Sequence, residues 1–177
     1  MNIITELTDE TFGLVPVEFN NPIIRYGARG IIVREDGKIA VFYKKNKNEY
    51  KLPGGGVEAG ETPEKAFERE ILEETGCKIT NVVEMGITKE LKSKGNFQQI
   101  SYVFKAKVTT CGELQLTEKE KDEGGSLLWL APIDALDKII KCTDELKESA
   151  YESIYHMQFM NYRDRAILKY YIDSLED

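Results

Sequence analysis

Short apolar runs punctuated by turn residues fill most of the chain, and each run predicts an element. Residues 26–33 read as a strand with Ile31, Ile32 and Val33 as its apolar end, and Ile39–Tyr43 reads as its return. The Glu35-Asp36-Gly37 step between them has the chemistry of a hairpin turn. Lys44–Glu49 is a polar loop, and Tyr50–Leu52 is a short extended piece stopped by Pro53 and three glycines. Thr62-Pro63 starts a helix, with threonine to cap it and proline tolerated in its first turn. Gly76 ends that helix, whose buried stripe is Ala66, Phe67 and Ile71. Residues 79–91 and 97–109 read as strands around a polar turn, 117–126 as an acidic loop, and Leu127–Leu130 as a further strand. Pro132 opens a helix through about Ile140. In the tail, Ile167, Leu168, Tyr171, Ile172 and Leu175 recur at helical spacing. Residues 144–175 are therefore expected to form one or two helices packed on the sheet or on a second subunit. Residues 1–24 end in an Asn20-Asn21-Pro22 turn signal and are expected to form a short hairpin or an extended arm.

Strands on either side of one helix, then more strands, then helices, predict an α/β fold in which helices cover both faces of a mixed sheet. The 177 residues suit one domain, with a core over about 26–140, an N-terminal extension over 1–25 and a helical segment over about 144–175. The formal net charge of -7, with the two signs interleaved, argues against a broad nucleic-acid footprint. It leaves room for a small phosphorylated ligand whose charge a metal neutralises locally. No stretch approaches the ~20 apolar residues of a membrane span, and the first residues lack the basic and apolar regions of a signal peptide. A cytoplasmic protein with no membrane partner is expected. Cys77, Cys111 and Cys142 are widely spaced, and His156 is the one histidine, so neither a disulfide framework nor a zinc site is expected. The cysteines are expected to be free thiols in a reducing compartment.

One segment changes the picture. Residues 55–77 read GGVEAGETPEKAFEREILEETGC, and on a helix Glu70, Glu73 and Glu74 share one side. Like charges so spaced repel, unless a hard divalent cation turns the repulsion into coordination. The bland alternative is a solvated helix face. Glu61 is placed to pair with Arg69, and the glycines at 54, 55, 56 and 60 permit backbone to approach a ligand closely.

This segment resembles the Nudix box, the signature of a hydrolase family, at Gly55, Glu61, Arg69, Glu70, Ile71, Glu73, Glu74, Gly76 and Cys77. Cys77 is the soft match, because a larger aliphatic residue usually fills that slot. The resemblance implies an α/β/α sandwich in which the box forms a loop-helix-loop. It also implies hydrolysis of a nucleoside diphosphate linked to another moiety, with magnesium, or manganese in its place, as cofactor. Glu70 and Glu74 match the main metal ligands, Glu73 a further or water-mediated ligand, and Gly55 a carbonyl ligand. Glu61, Arg69 and Gly76 match structural positions. Some members add a glutamate from a loop before a late tryptophan. Glu123, six residues before Trp129, is the match, with Glu120 and Glu118 as rivals in the same loop. The box glutamates and Glu123 are the candidate catalytic bases.

Substrate contacts are less legible. Arg25 and Arg29 are candidates for phosphate, against the alternative of surface arginines paired with acids. Lys44, Lys45 and Lys47 are candidates for steering a phosphate, against simple solubility. Tyr50, Tyr43, Phe97 and Tyr102 are candidates for stacking on a base, against ordinary core or sheet positions. The subfamily marks for ADP-ribose, dinucleoside polyphosphates and coenzyme A are absent. A nucleoside triphosphate or related small nucleotide, cut to a monophosphate, is the residual expectation, with ADP-ribose or a nucleotide sugar as alternative. A non-catalytic sensor of the same fold would be expected to lose box glutamates, and all are present. The tail's Tyr151, Tyr155, Phe159, Tyr162, Tyr170 and Tyr171 raise the expectation of a homodimer.

Overall fold

Residues 2–176 are described by a computed structural model, in which eight strands join one sheet. The strands are β1 (Ile3–Leu7), β2 (Ile23–Val33), β3 (Ile39–Lys44), β4 (Glu49–Lys51), β5 (Gly54–Gly56), β6 (Cys77–Lys92), β7 (Phe97–Cys111) and β8 (Gly125–Leu130). The helices are α1 (Pro63–Thr75), α2 (Glu118–Asp122), α3 (Pro132–Cys142) and α4 (Ile154–Asp173). The order across the sheet is β1-β6-β7-β2-β3-β4, with β5 paired to β2 and β8 to β3. The β1–β6 and β2–β7 pairs are parallel and the others antiparallel, so the sheet is mixed, as expected.

Side-chain alternation along the strands sorts the core into two layers. Ala28 and Ile32 of β2 and Ala40 of β3 pack with Ala66, Phe67 and Ile71 of α1. Ile31, Ile39 and Val41 point the other way and pack with Ala135 and Ile139 of α3 and Ile167 and Leu168 of α4. Both faces of the sheet are thus covered by helices, which closes the sandwich.

Three expectations are corrected. Residues 3–7 are neither a hairpin nor a free arm: β1 is the edge strand, parallel to β6. The following turn is held by Phe12, whose ring lies 4.6 Å from Phe159 and 4.9 Å from Tyr162, and by buried Asp9, which accepts from Tyr155 Oη at 2.8 Å. The tail's second correction follows, because helix resumes only at Ile154 and residues 146–153 are irregular. Phe159, Tyr162 and Tyr155 are engaged within the chain, and Tyr171 is buried. Third, Cys77 and Cys111 are disulfide-bonded rather than free, while Cys142 is free and buried. They are cross-strand partners at the ends of β6 and β7, so hairpin register joins residues 34 apart in sequence.

Helix α4 carries an ionic pair into the interior. Arg163 Nε donates to Asp164 Oδ1 at 2.8 Å and its Nη1 to Glu90 Oε2 at 3.2 Å, with all three residues buried. Asp164 Oδ2 also accepts from the backbone N–H of Leu52 at 2.8 Å, just ahead of the glycine loop. Removing one partner leaves the others buried without a counter-charge. Asp164→Ala should therefore lower unfolding free energy by about 3–5 kcal/mol, read as a shift in the urea midpoint at unchanged slope. A loss under about 1 kcal/mol, the range of an exposed pair, would contradict the anchoring role.

Candidate active site at the glycine loop and helix α1

Helix α1 is fixed at both ends by its own sequence. Thr62 Oγ1 accepts from Lys65 N–H at 3.3 Å, Pro63 occupies the first turn, and Gly76 closes the end in the left-handed region with φ 68°. A Cβ at Gly76 would also meet the Glu113 carbonyl at 2.8 Å, so glycine is required there twice over. The buried stripe of Ala66, Phe67 and Ile71 sets the rotation of the helix. That rotation turns Glu70 and Glu74 toward the Gly54–Gly56 loop and leaves Glu73 mostly exposed.

Arg69 organises the outer part of the site. Its guanidinium donates to both carboxylate oxygens of Glu61, at 3.0 Å each, to Glu70 Oε1 at 2.9 Å, to Glu73 Oε2 at 3.2 Å and to the Gly56 carbonyl at 2.9 Å. Glu61 also accepts from Glu58 N–H at 3.1 Å, which fixes the loop ahead of the helix, and the bonds to Arg69 hold its carboxyl below the usual range. Glu74 is held from the other side, by Lys51 Nζ at 2.7 Å and by Gly54 N–H at 2.8 Å. Glu70 packs directly on Gly55: a Cβ there would lie 2.4 Å from the carboxyl carbon. Burial pushes the Glu70 carboxyl up, Arg69 opposes this, and the negative charges of Glu74 and Glu73 push it further.

The donors fit a hard divalent cation. Glu70 and Glu74 carboxylates and the backbone of Gly55 supply oxygen alone, and a carboxylate oxygen already accepting one bond keeps a second lone pair. No group of three or more acidic, histidine or cysteine side chains is placed to hold a metal ion among the described residues, so side chains alone do not complete a shell. An open oxygen face suits an ion that keeps part of its water shell and shares phosphate oxygens.

The structure separates the loop glutamates. Glu120 lines the same depression as Glu70, Glu73 and Glu74. Its Oε2 caps α2 by accepting from Thr117 N–H and Oγ1, both at 2.9 Å. Glu123 is buried elsewhere, 2.7 Å from Lys44 Nζ and 3.4 Å from Lys47 Nζ, and it accepts from Ser149 Oγ at 3.3 Å. Glu120 folds back at the start of α2 to cap Thr117, whereas Glu123 is the residue just past the helix end, which is why they face different ways. Lys44 and Lys47 are correspondingly consumed inside, with Glu49 and Glu152 as further partners, and do not form a steering patch.

Arg25 and Arg29 come together in a cleft bounded by Gly55, Gly56 and Gln99. Arg29 is buried, donates through Nε to Ser101 Oγ at 3.2 Å, and is held down to about 10 by burial and by the neighbouring Arg163. Tyr50 is not with them: it stacks on Tyr43 at 4.3 Å and packs against the α3 and α4 layer. Lys51 was missed, since a lysine ahead of a turn has no distinguishing pattern. Asp164 left a signal, a charged residue on the apolar stripe that carries Met157, Leu168 and Tyr171.

A profile of the NUDIX domain matches residues 24–150. The chain belongs to the NUDIX family. Its relatives include a MutT-like protein of Streptomyces ambofaciens, 28% identical over 67% of this chain and 71% of that protein. A putative 8-oxo-dGTP diphosphatase of Bacillus subtilis is 32% identical over 60% of this chain and 66% of its own length. An ADP-ribose pyrophosphatase of Methanocaldococcus jannaschii is 38% identical over 51% of this chain and 55% of its own. The fold is shared with a MutT NUDIX hydrolase of Burkholderia pseudomallei, at a TM-score of 0.54 and 21% identity, over 82% of this chain and 96% of that one. The chain is thus an enzyme of the Nudix hydrolase type.

The contact between Gly55 and Glu70 yields a matched pair of variants. Gly55→Ala must displace the Glu70 carboxylate, whereas a Cβ at Gly56 meets nothing within 4 Å. Gly55→Ala should lower kcat/KM by about 100-fold, the scale of a 1 Å misplacement, and Gly56→Ala by less than about threefold. Equal effects in a nucleotide hydrolysis assay would show that the close packing is irrelevant.

Proposed function

We propose that this Nudix enzyme hydrolyses a pyrophosphate linkage in a nucleoside diphosphate derivative, with a nucleoside triphosphate or related nucleotide cut to a monophosphate as the first choice. The observation that carries this reading is the packing of Glu70 against Gly55 and the bond from Gly54 N–H to Glu74, which bring two carboxylates to the glycine loop. The cleft of Arg25 and Arg29 opens beside it at the same glycines. Magnesium, or manganese in its place, would there withdraw charge from the diphosphate and acidify a bound water. Glu70 and Glu74 would hold the cation, and Arg69, Glu61 and Lys51 keep those two carboxylates in place. Arg29, buried and in no salt bridge among the described residues, offers its remaining N–H groups to a phosphate oxygen. We assign the additional loop carboxylate to Glu120 rather than Glu123, because Glu120 shares the depression with the box. Its Oε1, free of the capping bonds, is a proton acceptor for an attacking water. Hydrolysis of ADP-ribose or a nucleotide sugar is a second reading, favoured by the relative of that name at 38% identity.

Two sets of variants test this. Glu70→Gln and Glu74→Gln keep side-chain volume and remove the charge a hard cation needs, so each should lower kcat by about 100-fold or more, equivalent to ~2.7 kcal/mol. Glu64→Gln, in the first turn and outside the fixed positions of the box, should change kcat by less than about twofold, because it alters only a helix-end charge. Equal small effects for all three at saturating magnesium would reduce the glutamates to a solvated face. EDTA should abolish turnover and excess magnesium restore it.

The loop glutamates should part in the opposite sense. Glu120→Gln should cost activity, by about 10-fold or more if it takes the proton, with the unfolding midpoint little changed. Glu123→Gln should cost stability, about 1–3 kcal/mol, because Lys44 and Lys47 lose a buried charged partner. If Glu123→Gln is as stable as the parent and inactive, the assignment to Glu120 is wrong.

A further inference from the structure

The cleft at the glycine loop does not stop at Arg29. A second opening, beside the start of α4, is lined by Phe97, Lys92, Lys119, Tyr151 and His156, and it shares Arg25 and Gln99 with the first. The two are neighbours across Arg25 and Gln99, with the Gly55 loop at the inner end of the pair and α4 at the outer end.

The outer end has aromatic rings, yet cations already occupy them. The Arg25 guanidinium carbon lies 4.9 Å from the Phe97 ring centre and Lys92 Nζ lies 5.1 Å from it, while the His156 ring meets Phe97 edge-on. Lys119 Nζ lies 5.2 Å from the centre of Tyr151. A base stacking on either ring would have to compete with a cation for it.

Two of those cations have no direct ion pair. Neither Arg25 nor Lys119 enters a salt bridge among the described residues. Lys92 is 4% exposed, and its partner Glu90 is shared with Arg163, at 3.1 and 3.2 Å. Beneath the openings the buried cations Lys92 and Arg163 share Glu90, Arg163 also binds Asp164, and Arg29 enters no salt bridge among the described residues. Glu152, the acid at the outer end, is bonded to Lys47. Burial and the nearby arginines push the Lys92 ammonium down, a cost that a bound anion relieves.

We propose that the outer opening is a second anion subsite, formed by Arg25, Lys92 and Lys119. It takes a phosphate carried by the part of the substrate that is not cut. The assignment rests on the hydrolase reading for where the scissile diphosphate lies. Within nucleoside diphosphate derivatives it favours those whose other moiety bears its own phosphate, and it sets them above a simple nucleoside triphosphate.

The test is binding to the full chain in EDTA, which needs no turnover. The affinities of NADPH and NADH, and of coenzyme A and dephospho-coenzyme A, are measured by calorimetry at fixed ionic strength. Each pair differs by one phosphate remote from the diphosphate. In at least one pair the phosphorylated member should bind about tenfold or more tighter, the scale of a charge-assisted contact. That advantage should fall below about threefold in Arg25→Ala and Lys119→Ala, both changes outside the buried network. No advantage in either pair, no measurable binding, or an advantage that survives both substitutions would overturn the proposal. Failure of the hydrolase reading would look different: Glu70→Gln would keep full turnover whatever the binding result.

Discussion

Arg69 is the side chain on which the geometry of the site depends. Its five bonds reach the loop before the helix through Glu61, the glycine loop through the Gly56 carbonyl, and two carboxylates of the helix face through Glu70 and Glu73. A planar guanidinium with donors in a fixed fork can satisfy all of these at once, which the point charge of a lysine cannot. The arrangement places a cation beside a row of carboxylates and so reduces their mutual repulsion in the absence of metal. The carboxylates of Glu70, Glu73 and Glu74 line one depression on this side of the helix.

The same logic of charge held by charge runs beneath the site. Lys51 fixes Glu74 and lies one residue before Leu52, whose N–H is bound by Asp164 of α4. Asp164 in turn binds Arg163, which reaches Glu90 of β6. A continuous chain of buried polar contacts therefore links the C-terminal helix to the box, and the tail is part of the apparatus that positions the glycine loop. Such networks cost desolvation and stabilise only when each member is satisfied. Arg29, in no salt bridge among the described residues, is where this one opens onto the cleft.

Much of this was legible in the sequence. The periodic stripe of α1, its threonine cap and its terminal glycine predicted the helix, and the fixed spacing of Arg69, Glu70 and Glu74 predicted which carboxylates share a side. These are local properties, set by residues within one or two turns of each other. What was not legible depends on register between distant segments. Cys77 and Cys111 meet only because β6 and β7 pair from end to end, and β1 joins the sheet only because β6 offers an edge. Glu123 stood ahead of Glu120 and Glu118 only by its distance from Trp129, while 117–126 read as a loop. A short helix there holds Glu120 in a capping box with Thr117 beside the depression, and leaves Glu123 past its end, bonded to Lys44. Tyr50 looked like a platform for a base by residue type, and the alternation of β4 turned it toward α3 instead.

The central claim is that Glu70, Glu74 and the Gly55 carbonyl form a divalent-cation site. Anomalous diffraction from crystals soaked in manganese tests it without any assumption about substrate. The account predicts a peak in contact with those three groups, with manganese–oxygen distances of about 2.0–2.3 Å, near those of magnesium. A well-diffracting soaked crystal with no peak there, or with manganese bound only at Glu123 and its buried lysine cluster, would contradict it.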